Sequence, residues 1–139
     1  MAAQAGSAGD HIFVYGTLRR GGAMHALLAP GAEWVGRARM RGRLYDLGAF
    51  PGFADGRAND WVQGELYRLT GDSAPLLDSL DRYEGTAFRR EVREAVRDGG
   101  VRMQAYVYVF TGSLRGRRRI ASGDYLGEVS PGAPSGRRA

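Results

Sequence analysis

His11-Ile12-Phe13-Val14-Tyr15-Gly16-Thr17-Leu18 is the stretch that most constrains the fold of this sequence. Its first five residues form a short β-rich run that stops at Gly16, the pattern of a buried central strand that enters a turn. A chain of 139 residues can close one hydrophobic core but not two ordinary ones. We therefore expect one domain, in which all functional residues share one pocket.

Strand signals recur downstream of this run. Residues 34–47 predict one or two strands, and Trp61–Leu69 alternates between two faces, with Gly64 placed for the close approach of another backbone. Residues 88–96 and 101–110 predict a hairpin around the turn Arg97-Asp98-Gly99-Gly100. The aromatic segment Phe50-Pro51-Gly52-Phe53 carries turn residues and is expected to be a loop near the rim of the site.

Two helices are predicted between the strands. Residues 24–28 can form a short one, and residues 73–84 a longer one that starts at an Asp72 or Ser73 cap and ends at Gly85. Because strands outnumber helices and hairpins recur, we predict an α+β fold, with mostly antiparallel strands curled towards a barrel and one or two packed helices. We expect the domain to span residues 11–127, with disordered tails at 1–10 and 128–139.

The amino-acid composition excludes several kinds of catalytic and metal-binding chemistry. The chain has no Cys, and its 20 basic residues are all Arg, so disulfides, thiolate nucleophiles, cysteine-ligated zinc and lysine Schiff bases are excluded. Histidine or carboxylate clusters with metal-ligand spacing are also absent from the sequence, and no metal is expected. There is neither an apolar run of 18 residues nor a signal-peptide pattern, which predicts no membrane span and a cytoplasmic location.

The basic charge raises the alternative of a nucleic-acid partner. The net charge is +5, and the run Arg115-Gly116-Arg117-Arg118-Arg119 could bind the phosphate groups of a nucleic acid. This run lacks the interleaved aromatic residues of a stacking platform, so we interpret it as a solvated loop and regard nucleic-acid binding as the weaker hypothesis.

Residues Tyr15, Gly16, Thr17 and Leu18 form the first candidate site. A backbone that turns at Gly16 can aim successive N–H groups at an anion such as a carboxylate, and Thr17 adds a hydroxyl. Arg19-Arg20 would bias the local field towards negative ligands. Taken alone, the same residues are also compatible with an ordinary strand-to-loop turn.

Glu84 is the second candidate. On a helical wheel it falls between Leu77 and Leu80 on the apolar face of the predicted helix, whereas Asp78 points away. Apolar neighbours and the negative end of the helix dipole should raise its pKa, as a proton shuttle at neutral pH requires. The alternative is that Glu84 lies past the helix end and turns out to solvent.

His11 and His25 are weaker candidates for a catalytic base. His11 begins a buried strand, His25 lies on the short helix, and neither has a carboxylate at triad-like spacing. We therefore expect neither histidine to act in catalysis.

Together, the two candidates resemble a known family. Val14-Tyr15-Gly16-Thr17-Leu18-Arg19 followed by Leu80-Asp81-Arg82-Tyr83-Glu84-Gly85 is similar to the γ-glutamylcyclotransferase family in its AIG2-like branch. The resemblance runs from about residue 11 to 126 and includes further segments: Leu44-Tyr45-Asp46-Leu47-Gly48, Phe50-Pro51-Gly52, Val62-Gln63-Gly64-Glu65-Leu66-Tyr67 and Ala105-Tyr106-Val107-Tyr108.

The resemblance implies a mixed barrel of about six strands that acts without a cofactor. In that family pattern, residues Tyr15 to Leu18 hold the glutamyl end of a small γ-glutamyl substrate, and Glu84 is the acid/base that releases an amine with formation of 5-oxoproline. The segment Gly22-Ala23-Met24-His25 lacks an asparagine common in the family, and Phe88 stands where tyrosine is frequent. Because of these departures, the resemblance does not identify the amine that is released. A non-catalytic metabolite-binding protein on the same fold is the alternative.

Overall fold

The computed structural model describes residues 11–125, which form eight strands and two α-helices. The predicted disordered tails at 1–10 and 128–139, and the predicted domain end at 127, lie outside the described residues. The strands are β1 (His11–Val14), β2 (Ala32–Arg41), β3 (Arg43–Asp46), β4 (Pro51–Ala54), β5 (Trp61–Leu69), β6 (Phe88–Arg97), β7 (Arg102–Phe110) and β8 (Arg118–Ile120); the helices are α1 (His25–Leu28) and α2 (Ala74–Glu84).

Five of the strands close into a mixed barrel. The hydrogen-bonded order is β1-β5-β2-β6-β7, and β1 returns to pair with β7 in parallel at Ile12 and Tyr106. The remaining three strands extend from β7 in the order β4-β3-β8. The α+β fold with a small, mostly antiparallel mixed barrel is confirmed, with five closing strands where the resemblance implied about six.

Strand β1 is buried on both faces, which explains its unbroken apolar run. Phe13 points into the cluster that fills the barrel, while Ile12 and Val14 point to a second cluster shared with the helices. Successive side chains of a strand alternate between faces, so the three consecutive apolar residues 12–14 must be covered on both faces. The barrel and the helical layer therefore meet at β1, immediately before the turn at Gly16.

Gly64 has the close-approach role that the sequence predicts. A Cβ atom built on it would lie 2.4 Å from the Val14 carbonyl oxygen and 2.6 Å from a carbon of the Phe13 ring. Any side chain at this position would push β1 away from β5, so the glycine allows the first strand to sit close to its neighbour.

Two predictions of loops are wrong. Phe50-Pro51-Gly52-Phe53 is mostly strand β4, because Pro51 stands at the first strand position, where a missing N–H costs little. Gly52 packs against Leu47 and Phe110 with no room for a side chain. In the basic run, Arg118 and Arg119 belong to β8, which pairs with β3, so only its first part is a loop.

Helix α2 agrees closely with the sequence. It ends at Gly85, whose φ of 76° favours glycine, and it begins after Ser73 with Pro75 in its first turn. Of the two predicted caps, Asp72 makes the bond: its Oδ1 accepts a hydrogen bond from the Ala74 N–H at 3.1 Å. The short helix α1 forms one residue later than predicted, at His25. Within residues 11–125, neither helix is long or apolar enough to cross a bilayer.

Candidate active site

The segment from Tyr15 to Leu18, called the binding loop below, leaves β1 as a tight turn. The Arg19 N–H donates to the Gly16 carbonyl oxygen at 3.0 Å, which closes the turn, and the Thr17 carbonyl accepts from the Met24 N–H at 2.9 Å. Within the described part of the chain, the N–H groups of Thr17 and Leu18 donate no hydrogen bond. The turn therefore presents two adjacent unpaired donors, which is the arrangement that anions bind.

A pocket of about 150 Å³ opens over this loop. Its volume corresponds to about five water molecules of the bulk liquid, so it can hold a small ligand. Among the described residues the wall contains no Arg or His, and its single carboxylic acid is Glu84. The lining residues are Phe13, Val14, Tyr15, Gly16, Thr17, Leu18, Phe50, Pro51, Tyr83, Glu84, Phe88 and Tyr108.

Glu84 lies in this wall as the last residue of α2 and is half-buried. The inward direction predicted from the helical wheel is the one observed, and the solvent-facing alternative is not. Its carboxylate makes no hydrogen bond or ion pair within residues 11–125. Burial, followed by the negative charge of Asp81, raises the pKa of Glu84 to about 7.

Asp81 belongs to a polar cluster one helical turn before Glu84. Its carboxylate accepts two hydrogen bonds from Arg90, at 2.9 and 3.1 Å, and one from the Tyr108 hydroxyl at 2.6 Å. These bonds, led by those from Arg90, lower the pKa of Asp81. Asp81 is therefore charged at neutral pH, and it disfavours the charged form of Glu84 nearby.

The four binding-loop residues play different structural parts. The Tyr15 ring is buried and its hydroxyl donates to the Tyr108 carbonyl at 2.6 Å, so that hydroxyl is already engaged. Burial and the Glu84 charge raise the pKa of Tyr15 well above its ordinary value. Gly16 packs against Pro51, where an added Cβ would lie 2.7 Å from Cγ. Leu18 is buried under the loop and anchors it to the helical core.

Arg19 and Arg20 do not bias the field in the pocket as predicted. Arg19 is 7% exposed and binds Glu65 at 3.3 Å and Asp124 at 2.7 Å. Arg20 stacks its guanidinium on the Trp34 ring, 3.8 Å from the centroid. Because Glu65 and Asp124 lie far along the chain, the sequence near Arg19 contained no signal for this burial. Both cations stabilise the loop from behind, and in the part of the chain that the structure describes the pocket wall contains no positive group.

Neither histidine lines the pocket. His25 Nδ1 lies 2.9 Å from the Leu18 carbonyl oxygen, so the ring supports the back of the binding loop. His11 begins β1 at the far end of the strand from Gly16. In residues 11–125 no three His, Asp or Glu side chains come together to hold a metal ion.

Sequence reasoning missed several residues of the wall. Tyr83 was treated only as part of the apolar helix face, yet its hydroxyl lies 2.7 Å from Thr17 Oγ1. Tyr108 contributes from β7, and its position next to the pocket depends on barrel closure, which a single sequence does not encode locally. For Tyr83 a signal existed: a hydroxyl on the apolar face, adjacent to the candidate acid.

The structure combines a closed mixed barrel, a first strand that ends in a turn with two N–H groups unpaired among the described residues, and a half-buried carboxylate at the end of a helix. Comparison with known proteins identifies the class of protein to which this small α+β fold belongs. The family model described as gamma-glutamyl cyclotransferase, AIG2-like, matches residues 12–127. The chain belongs to this family and is an enzyme of the γ-glutamylcyclotransferase type.

Individual relatives agree with the family match. The chain is 32% identical over 122 residues to the γ-glutamylcyclotransferase family protein YtfP of Escherichia coli, covering 83% of this chain and 95% of that one. It is 33% identical over 115 residues to the γ-glutamylaminecyclotransferase of Mus musculus, covering 70% and 76%. The crystal structure of PH0828 from Pyrococcus horikoshii superposes with a TM-score of 0.65 at 26% identity, covering 86% and 92%.

Proposed function

We propose that this enzyme cyclises the glutamyl part of a γ-glutamyl amide to 5-oxoproline and releases the amine, with Glu84 as the acid and base. One observation carries the proposal. Glu84 is an uncompensated, half-buried carboxylate in the same pocket as the unpaired donors of the binding loop, and its pKa is about 7. A carboxyl group with that pKa can both accept and return a proton near neutral pH.

The binding loop suits the α-carboxylate of the substrate. The N–H groups of Thr17 and Leu18 supply two donors, and Thr17 adds a hydroxyl that Tyr83 holds in place. Because no cation among residues 11–125 lines the pocket, the carboxylate is bound by backbone dipoles, as anions are in backbone nests. Binding at one end leaves the γ-carbonyl and the α-amino group free to approach each other near Glu84.

The chemistry requires no external nucleophile. The α-ammonium group loses a proton to the Glu84 carboxylate, and the resulting amine nitrogen attacks the γ-carbonyl carbon to close a five-membered ring. The amide C–N bond then breaks while protonated Glu84 donates a proton to the leaving nitrogen. Of the two protons that leave the α-nitrogen, one reaches the leaving nitrogen through Glu84, and the second passes to solvent or to the released amine. No cofactor takes part.

The protein contributes orientation and proton transfer. Holding the folded conformer of the substrate contributes several kcal/mol, on the order of the gains seen for intramolecular reactions. Proton transfer by a group with a pKa near the working pH contributes about a hundredfold or more in rate. The dry, apolar part of the wall, including Phe13 and Val14, strengthens both effects by excluding water.

The test is product formation by matched variants. Purified protein is incubated with a panel of γ-glutamyl amides, and 5-oxoproline is quantified. Glu84→Gln, which keeps the shape of the side chain, is expected to reduce the rate by about a hundredfold or more. Asp78→Asn, on the exposed side of the same helix, is the control and should retain wild-type activity. Full turnover by Glu84→Gln contradicts the proposed role.

The same experiment addresses the alternative of a non-catalytic metabolite-binding protein. That alternative predicts that γ-glutamyl amides bind to the pocket but yield no 5-oxoproline with the wild-type chain. The uncompensated Glu84 carboxylate favours the enzyme, because a binding module gains nothing from a buried acid whose pKa is raised.

A further inference from the structure

Two phenylalanines pack against each other at the pocket mouth. Phe50 precedes Pro51, which packs on Gly16 of the binding loop, and Phe88 follows the end of α2, four residues after Glu84. Their rings lie 5.9 Å apart between centroids with an interplanar angle of 60°, and both line the pocket. Phe110 supports the Phe88 ring from behind at 5.4 Å. We call Phe50 and Phe88 the aromatic rim.

The aromatic rim includes one of the few large apolar side chains that face solvent in the described chain. Phe50 is 39% exposed, and its ring packs against the Phe88 ring at the mouth of the cavity. Exposed aromatic surface at the mouth of a polar pocket is typical of a binding surface for an apolar group.

The size of the pocket determines what reaches the aromatic rim. A volume of about 150 Å³ is filled largely by the glutamyl group once its carboxylate lies on the binding loop. The amide nitrogen must then lie at Glu84, since that residue has to protonate it. Whatever substituent the nitrogen carries continues outward and packs against the Phe50 and Phe88 rings.

Charge near the mouth disfavours an anionic substituent. No cation lines the pocket among the described residues, and a carboxylate there would also meet the negative form of Glu84. Beyond Phe88, Arg90 is committed to Asp81 through two hydrogen bonds, and Arg89 pairs with Glu91. A peptide-like leaving group with a free carboxylate would have to displace one of these acids.

We infer that the aromatic rim of Phe50 and Phe88 is the leaving-group subsite and selects γ-glutamyl amides of amines with an apolar or aromatic substituent over γ-glutamyl peptides with a free carboxylate. This inference rests on the proposed function for the position of the amide nitrogen. The inference itself concerns the relative affinities of γ-glutamyl amides and peptides, which can be measured without turnover.

Three probes test the preference: γ-glutamyl benzylamide, γ-glutamyl methylamide and γ-glutamylglycine. Their affinities are measured by calorimetry on the Glu84→Gln protein, because this variant should turn the probes over too slowly to consume them during the measurement. γ-Glutamyl benzylamide should bind about tenfold more tightly than γ-glutamyl methylamide, the effect of partly burying one aromatic ring. γ-Glutamylglycine should bind most weakly even with the Glu84 charge removed, because no cation among the described residues of the wall pairs with its carboxylate. Adding Phe50→Ala or Phe88→Leu should reduce the benzylamide advantage to about threefold or less, while methylamide affinity changes less than about twofold.

Val92→Ala is the matched control, because Val92 is 37% exposed, close to the 39% of Phe50, yet lies outside the pocket. It should leave all three affinities unchanged. Equal binding of the three probes, tighter binding of γ-glutamylglycine, no binding at all, or an advantage that survives both rim substitutions overturns the inference. Turnover with wild-type Glu84 is scored separately: binding with the expected preference but without 5-oxoproline contradicts the proposed function and leaves the leaving-group subsite standing.

Discussion

Thr17 Oγ1 and the Tyr83 hydroxyl lie 2.7 Å apart, a hydrogen bond that joins the binding loop to the last turn of helix α2. The two residues are 66 positions apart in the chain, yet they flank the two halves of the pocket. Tyr83 immediately precedes Glu84, so this bond fixes the distance between the turn after β1 and the Glu84 carboxyl group. The Asp81–Tyr108 bond at 2.6 Å ties the same helix to strand β7.

Breaking this bond should lower activity without unfolding the chain. Tyr83→Phe and Thr17→Val are each expected to reduce kcat/KM for 5-oxoproline release by about tenfold, because each removes one partner of a single partly buried hydrogen bond. The double variant should cost little more than either single one, with a coupling free energy of about 1 kcal/mol. Tyr45→Phe, on β3 outside the pocket, is the control. Additive losses would show that the two hydroxyls act independently.

Glu84 should destabilise the folded chain in its charged form. Its pKa is about 7 in the folded state against an ordinary 4.5, so the folded state binds the extra proton between these values. The free energy of unfolding therefore falls as pH rises from about 4.5 to about 7, by about 3 kcal/mol in the limit.

Urea unfolding of Glu84→Gln checks this linkage. The substitution should raise the free energy of unfolding relative to wild type at about pH 8 and change it much less at about pH 4. Asp78→Asn, on the solvent side of α2, should show no such difference. A Glu84→Gln effect that is the same at both pH values would mean that the Glu84 pKa is not raised.

Asp81 should tune the pH dependence of the reaction. Its charge is one of the two causes that raise the pKa of Glu84. Asp81→Asn removes that charge and leaves the Arg90 cation in place, so the pKa of Glu84 should fall towards its ordinary value. The midpoint of the acid limb of kcat/KM should then move to lower pH, while Asp78→Asn should not move it. A midpoint that stays at the same pH or moves to higher pH would contradict the assigned effect of the Asp81 charge on the pKa of Glu84.

Glu65 should matter for the shape of the binding loop although it does not line the pocket. It is 5% exposed and accepts hydrogen bonds from the Arg20 N–H at 2.7 Å, the Tyr67 hydroxyl at 2.9 Å and Arg19 Nε at 3.3 Å. Glu65→Gln keeps the size but weakens the partner of a buried Arg, and should cost about 2 kcal/mol of stability, since Asp124 still pairs with Arg19.

The same substitution should raise KM more than it lowers kcat, because it loosens the loop proposed to hold the α-carboxylate. Glu33→Gln is the control, as Glu33 pairs with Arg68 on the exposed surface, where an ion pair contributes less than about 1 kcal/mol. Unchanged stability and KM in Glu65→Gln would show that the loop keeps its shape without this anchor.

What the sequence predicts well is local. The apolar run ending at Gly16 and the capped helix ending at Gly85 each depend on neighbouring residues, and both were placed within one or two positions. The inward direction of Glu84 follows from helical periodicity alone. These features are determined by backbone propensity and burial periodicity, which a single chain displays directly.

What the sequence could not show depends on distant partners. Arg19 is buried because Glu65 and Asp124, 46 and 105 positions away, neutralise it. Pro51 and Gly52 carry turn chemistry, yet pairing with β3 and β7 makes them strand. The role of Tyr108 in the wall follows from the closure of β1 on β7. Each of these outcomes is tertiary, so local propensity predicted the opposite or nothing.

The pH dependence of kcat/KM for 5-oxoproline release, compared between wild type and Glu84→Gln, tests the central claim most directly. With Glu84 as the base, wild-type kcat/KM should rise with pH through a midpoint near 7, since only the carboxylate accepts the substrate's proton. In Glu84→Gln this rise with pH should disappear, and kcat/KM should be lower than that of the wild type by about a hundredfold or more. A midpoint near 4.5, or the same limb retained in the Gln variant, would contradict Glu84 as the proton shuttle.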